Sequence, residues 1–212
     1  MEQKRILVLG GTGHYGREIV ASLVDKRAPV RVLTRSAGRA RRILGDAPEL
    51  IEGDLADPAV IRAALGRVAG IVIAVSAFSP AEIRRIKAVE QDAVIAALDL
   101  ARASGVKRVV FISVFDIRED VAGRHKISSG SAKLAVERYL AASDFNWTVL
   151  GAPPSMEIFL SLLGFIKLLN DFPPEVAARA RLDLALLKKT FRFRPTTLER
   201  LASLRRRLEI RG

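Results

Sequence analysis

Glycine occupies positions 10, 11, 13 and 16 in the run Gly10-Gly11-Thr12-Gly13-His14-Tyr15-Gly16. The run follows the apolar stretch Ile6-Leu7-Val8-Leu9 and leads into the helix-like Arg17-Glu18-Ile19-Val20-Ala21-Ser22-Leu23-Val24. Without a Cβ, glycine permits a tight turn whose backbone N–H groups approach a pyrophosphate at the positive end of the next helix. Strand, glycine turn and helix in that order read as a dinucleotide-binding entrance. They predict cofactor contacts from Gly10, Thr12, Gly13, His14, Tyr15 and Gly16. A tight turn that binds no ligand is the plainer alternative.

A second group follows the next apolar run, where the chain reads Thr34-Arg35-Ser36 with Arg39 one turn later. NAD sites normally place an acid there to accept from the adenosine ribose 2′-hydroxyl, whereas a guanidinium pairs bidentately with a 2′-phosphate. NADP(H) is therefore favoured over NAD(H). The competing reading is an Arg35 that stacks on adenine or faces water.

Composition removes other chemistries. The chain has no cysteine, which excludes disulfides, thiolate metal sites and a cysteine nucleophile. Its two histidines, His14 and His125, are far apart and lack helix-spaced carboxylate partners, which argues against zinc.

Positioning these groups requires a scaffold, and 212 residues, 50% of them hydrophobic, suffice for one α/β core with a small appendage. Short apolar runs at 5–9, 30–34, 49–52, 70–75, 108–113 and 147–150 read as strands. Between them lie helical patterns near 14–27, 36–45, 57–65, 80–104 and 130–143. Continuous apolar strands suit a parallel sheet covered on both faces, and right-handed crossovers then predict a doubly wound Rossmann sheet of order 3-2-1-4-5-6. After residue 150 the alternation stops. The division expected is a dinucleotide-binding domain over 1–157 and a helical extension over 158–212 that is not an independent domain. Within the extension, Ile158–Leu169 is apolar but too short to span a bilayer, and it suits a cover for the cleft or a contact with a partner, including a second copy of the chain. Further helices are expected near 174–190 and 196–209.

The formal charge is +12, and from Glu175 onward eleven Lys and Arg face four acids. Solvated helix faces explain that excess most simply, with nucleic acid or an acidic membrane surface as a less favoured partner. The start of the chain has no signal-type pattern, so a cytoplasmic location is expected.

Several motifs in order resemble the atypical short-chain dehydrogenase/reductases of the NmrA-like, NAD(P)H-binding group. They are Gly10–Gly16, in the spacing Gly10-x-x-Gly13-x-x-Gly16, then Val32–Ser36, Gly53-Asp54-Leu55, Ile73–Ala77 and Gly105–Ser113. Lys133 with Glu137, Trp147–Leu150 and Met156-Glu157 complete the set. The resemblance implies that Asp54, with Leu55, meets the adenine amino group and that Ser76 and Ala77, followed by Phe78, flank the cofactor. It also implies a catalytic Tyr-x-x-x-Lys, in which the lysine holds the nicotinamide ribose and lowers the tyrosine pKa. Here Lys133 is preceded by Ser129 at the tyrosine's place, and Tyr139 points elsewhere on the helix. Lys133 either grips the ribose or pairs with Glu137 at i,i+4. Ser113 either donates to a substrate carbonyl or satisfies local backbone. Gly151-Ala152 replaces the Arg-Pro that relatives carry, and the substrate-lid region is reduced.

The function expected is an NADP(H)-binding reductase-like protein passing hydride to a small carbonyl, quinone or flavin-like acceptor. The alternative is a non-catalytic NADP(H)-sensing protein read by a regulatory partner.

Overall fold

The computed structural model describes residues 4–77, 80–114 and 128–152. Contacts divide the chain into Met1–Ser155 and Met156–Gly212, and every described residue lies in the first unit. The expected helices at 158–169, 174–190 and 196–209, the residues His125, Met156 and Glu157, and the wall residue Phe78 lie outside the described residues.

Six strands form one parallel sheet of order β3-β2-β1-β4-β5-β6, as the crossover rule predicted. They are β1 (Arg5–Leu9), β2 (Val30–Thr34), β3 (Glu49–Glu52), β4 (Val68–Ile73), β5 (Arg108–Val114) and β6 (Asn146–Ala152). Residues of one strand alternate between faces, so β1 serves two cores. Leu7 and Leu9 pack with Ile71, Ile73, Val109 and Phe111 on one face. Val8 packs with Val20, Val30 and Val32 on the other. Burial on both faces explains why these runs read as continuously apolar.

The helices α1 (His14–Asp25), α2 (Ala37–Leu44), α3 (Pro58–Ala64), α5 (Ala93–Ala103) and α6 (Ser128–Ala141) connect the strands, with a short α4 at Pro80–Ile83. Their starts follow capping chemistry. Ser36 Oγ accepts from Arg39 N at 3.3 Å at the head of α2. Asp57 Oδ1 accepts from Ala59 N at 2.8 Å at the head of α3, where Pro58 supplies a fixed φ. Behind the sheet's second strand, buried Arg31 donates to the carbonyls of Ala64 at 2.8 Å and Gly66 at 2.6 Å and pairs with Glu49. It ties β2 to the end of α3.

One expected element is broken. The helical pattern over 80–104 resolves into α4, a π-helical turn at Ala88–Asp92, and α5. A π turn accommodates an extra residue in a helix. Here it accompanies a buried charge, because Glu90, within the turn, is only 2% exposed.

Candidate functional site

In a doubly wound sheet, ligands bind where the strand order reverses, outside the carboxyl ends of the strands. That switch point lies between β1 and β4, and a cavity of about 740 Å³ opens there. Its size falls within the range of small-molecule and cofactor sites, about 300–1,000 Å³.

The glycine turn forms one wall. Gly10 has φ +80°, and a Cβ there would lie 2.5 Å from the Ala74 carbonyl oxygen. A Cβ on Gly16 would lie 2.0 Å from the Gly10 carbonyl oxygen. These two glycines are therefore demanded by the turn itself, which packs β1, α1 and the exit of β4 backbone to backbone. Gly13 differs. Its backbone is ordinary, φ −75° and ψ 176°, and it opens α1 without a side-chain cap. Gly13 lines the cavity together with Gly10 and Thr12. His14, Tyr15 and Gly16 form the first turn of α1 rather than the lining, with the His14 and Tyr15 rings edge to face at 5.5 Å.

The ends of β2 and β3 build the opposite wall. Arg35, Ser36 and Arg39 come from the β2–α2 turn, and Asp54 and Leu55 follow β3. Asp54 is exposed, and its Oδ1 accepts from Ala56 N at 2.8 Å, which fixes the turn. Arg35 Nη1 lies 2.6 Å from Glu82 Oε1. Ser76 also lines the cavity, whereas the Ala77 N–H donates to Glu90 Oε1 at 2.7 Å.

Lys133 and Ser113 belong to a different neighbourhood. Lys133 is 4% exposed and donates to the Val75 carbonyl at 2.9 Å and the Ile112 carbonyl at 3.4 Å. Its ion-pair partner is Glu90 Oε2 at 3.6 Å rather than Glu137, the i,i+4 residue. Its ammonium also sits 5.3 Å from the centre of the Phe111 ring. Burial pushes the Lys133 pKa below the usual lysine range, against the opposing pull of the Glu90 and Glu137 carboxylates. Ser129, at the place of the family tyrosine, donates to Glu90 Oε2 at 2.8 Å. Ser113 donates to Glu137 Oε1. The hydroxyl of Ser113 thus serves a carboxylate, neither of the two partners expected for it. Tyr139 donates to Asp99 Oδ1 at 2.6 Å, away from this group.

Three site residues carried no motif. Glu90 had a usable signal: it stands at i, i+3, i+4 and i+7 with Ala93, Val94 and Ala97, all buried, so an acid occupies an apolar stripe. Glu82 and Arg85, both lining the cavity, had none. No cluster of three His, Cys, Asp or Glu suits a metal among the described residues. None of the described helices is long and apolar enough to cross a membrane.

A Rossmann sheet with a glycine turn at its switch point defines a dinucleotide-binding protein. Residues 10–155 match the model of the NAD(P)H-binding family, and the chain belongs to that family, within the atypical, NmrA-like short-chain dehydrogenase/reductases. It is 31% identical over 144 residues to a photosystem II assembly factor Ycf39 of Trieres chinensis, covering 68% of this chain and 44% of that protein. It is 34% identical over 105 residues to an NAD(P)H azoreductase of Xenophilus azovorans, covering 50% of this chain and 34% of that protein. Among solved structures it is similar to a short-chain dehydrogenase/reductase superfamily protein from Agrobacterium tumefaciens with bound NAD. The TM-score is 0.55 and the identity 24%, over 69% of this chain and 48% of the other. The chain spans less than half the length of the Ycf39 relatives it matches.

Proposed function

We propose that the chain binds NADP(H) in the switch-point cavity and serves as a reductase for a small carbonyl, quinone or flavin-like acceptor. One observation carries this reading: a single cavity is lined by the glycine turn, by Asp54 and by the guanidinium groups of Arg35 and Arg39. The bare backbone at Gly13 suits a pyrophosphate, and the two arginines suit a 2′-phosphate. Asp54 suits the adenine amino group. When bound, the cofactor supplies the hydride. The azoreductase relative, a protein named for reduction with NAD(P)H, agrees with this class of reaction.

This chain's residues bear on the proton. Ser129 stands where the family's phenol would, and a serine hydroxyl that donates to Glu90 is no substitute acid. The proton is accordingly assigned to solvent or to the acceptor itself. Lys133, buried and directed at Val75, Ile112 and Glu90, acts by fixing the exit of β4, from which Ser76 lines the cavity.

That same serine favours a second reading, a non-catalytic protein that senses NADP(H) and is read by a protein partner, as suits a relative named as an assembly factor. A panel of acceptors, scored by loss of NADPH absorbance beside calorimetric titration of NADPH and NADH, separates the two. Turnover with any acceptor favours the reductase. Measured NADPH binding without turnover favours the sensor. Equal affinity for NADPH and NADH removes the NADP(H) preference.

A further inference from the structure

We propose that Glu82 is a specificity-determining residue. It holds Arg35 across the adenosine end of the cavity until a phosphomonoester on the ligand's ribose displaces it. The inference rests on the dinucleotide reading above and adds to it a residue that opposes one cofactor and ignores the other.

Three guanidinium groups, Arg35, Arg39 and Arg85, and two carboxylates, Glu82 and Asp54, line the same cavity. Glu82 is paired with Arg35 at 2.6 Å, whereas Arg39 and Arg85 have no carboxylate within ion-pair distance among the described residues. Positive charge is thus left uncompensated on a concave surface, which is the electrostatic character of an anion site. Glu82 and Arg85 reach it from the same turn, since the Arg85 N–H donates to the Glu82 carbonyl at 2.9 Å.

The two partners of the ion pair are unequally held. The Glu82 side chain is 17% exposed and the Arg35 side chain 67% exposed. Arg35 is therefore the arm that moves, and Glu82 the post it rests on. An ion pair with one largely solvated member biases an equilibrium only about two- to fivefold. A phosphomonoester brings more charge and more acceptor oxygens than a carboxylate, and Arg39 and Arg85 line the same cavity to share them. It wins Arg35 from Glu82. A ribose 2′-hydroxyl has no charge with which to compete and leaves the pair closed. Glu82 consequently weakens the binding of NADPH and leaves that of NADH alone.

The experiment is calorimetric titration of the full chain with NADPH and NADH in wild type, Glu82→Gln, Arg35→Ala and the double variant. Glu82→Gln is expected to tighten NADPH about two- to fivefold and to leave NADH unchanged. Without Arg35 the gain should vanish, so that Arg35→Ala and the double variant bind NADPH alike. Unchanged or weaker NADPH binding in Glu82→Gln overturns the proposal. So does a gain that persists in the double variant, because Glu82 would then act on the ligand directly. If wild type binds NADPH and only the Glu82 effect is missing, the dinucleotide reading stands and this inference alone fails. If wild type binds neither cofactor, both fall.

Discussion

The wall made by the glycine turn and the junction around Glu90 lie on either side of the exit of β4, and they are built of different materials. At the turn almost everything is backbone. Gly10 and Gly16 are fixed by carbonyl oxygens that leave no room for a Cβ, and Gly13 presents bare backbone to the cavity. At the junction almost everything is side chain. Glu90 from the π-helical turn, with Ser129 and Lys133 from α6, forms a buried polar knot that also grips the backbone at Val75, Ala77 and Ile112. The turn spends no charge, and Gly13, whose N–H is given to the Gly10 carbonyl at 3.0 Å, offers a ligand close approach to the backbone at the head of α1. The junction directs its charge at the protein itself, and buried charges are tolerated only when so paired. A lysine in the family's sequence position can thus be employed in holding the β4 exit.

Breaking the junction should give the largest change. Lys133→Met leaves the Glu90 carboxylate buried without its cation, a loss of about 3–5 kcal/mol in urea denaturation. Adding Glu90→Gln should recover part of it, so the double variant costs less than the two single changes together. A Lys133→Met protein as stable as wild type would mean that the knot is ornamental.

The turn should be next. Gly16→Ala places a Cβ where the Gly10 carbonyl stands, and the backbone must shift, at a cost of about 1–3 kcal/mol by thermal or urea unfolding. No loss of stability would show that the turn is looser than its contacts imply.

A smaller effect lies outside both regions and serves as a control for them. Burial and the hydrogen bond to Asp99 push the Tyr139 pKa up to about 12. Because the folded pKa is raised, the contribution is fully present below the ordinary tyrosine value near 10 and is lost as pH rises toward 12. Alkaline absorbance titration should show Tyr139 ionising late, near pH 12. In Tyr139→Phe the late step should disappear, with stability at neutral pH changed by no more than about 1 kcal/mol.

The same contrast explains what the sequence disclosed. Backbone-built features are local, so the first three strands and the glycine turn were legible from short stretches of residues. The strand β4 was read as 70–75 and runs from Val68 to Ile73. Apolar residues continue past its end because Ala74 and Val75 leave the sheet to serve the site: the Val75 carbonyl accepts from Lys133, and both residues line the cavity. The junction joins residues 77, 90, 129 and 133, and pairing over such distances leaves no periodic trace. Lys133 was visible through its motif and Glu90 as an acid in an apolar stripe, but nothing local joined the two as partners. The pairing of Arg35 with Glu82 was hidden for the same reason, since nothing local connects Arg35, just past β2, with Glu82, 47 positions later in a four-residue helix.

The central claim is that the bare backbone at Gly13 seats a dinucleotide, and titration of NADPH into wild type and Gly13→Val tests it most directly. The substituted residue meets an ordinary φ and one moderately close contact, 3.1 Å to the Gly10 carbonyl oxygen, so the circular dichroism spectrum and the melting behaviour should stay close to wild type. Its branched side chain fills the space where phosphate oxygens approach the turn, and NADPH should bind at least about a hundredfold more weakly, a change of roughly 2.8 kcal/mol. A folded Gly13→Val protein that binds NADPH as tightly as wild type would contradict the account.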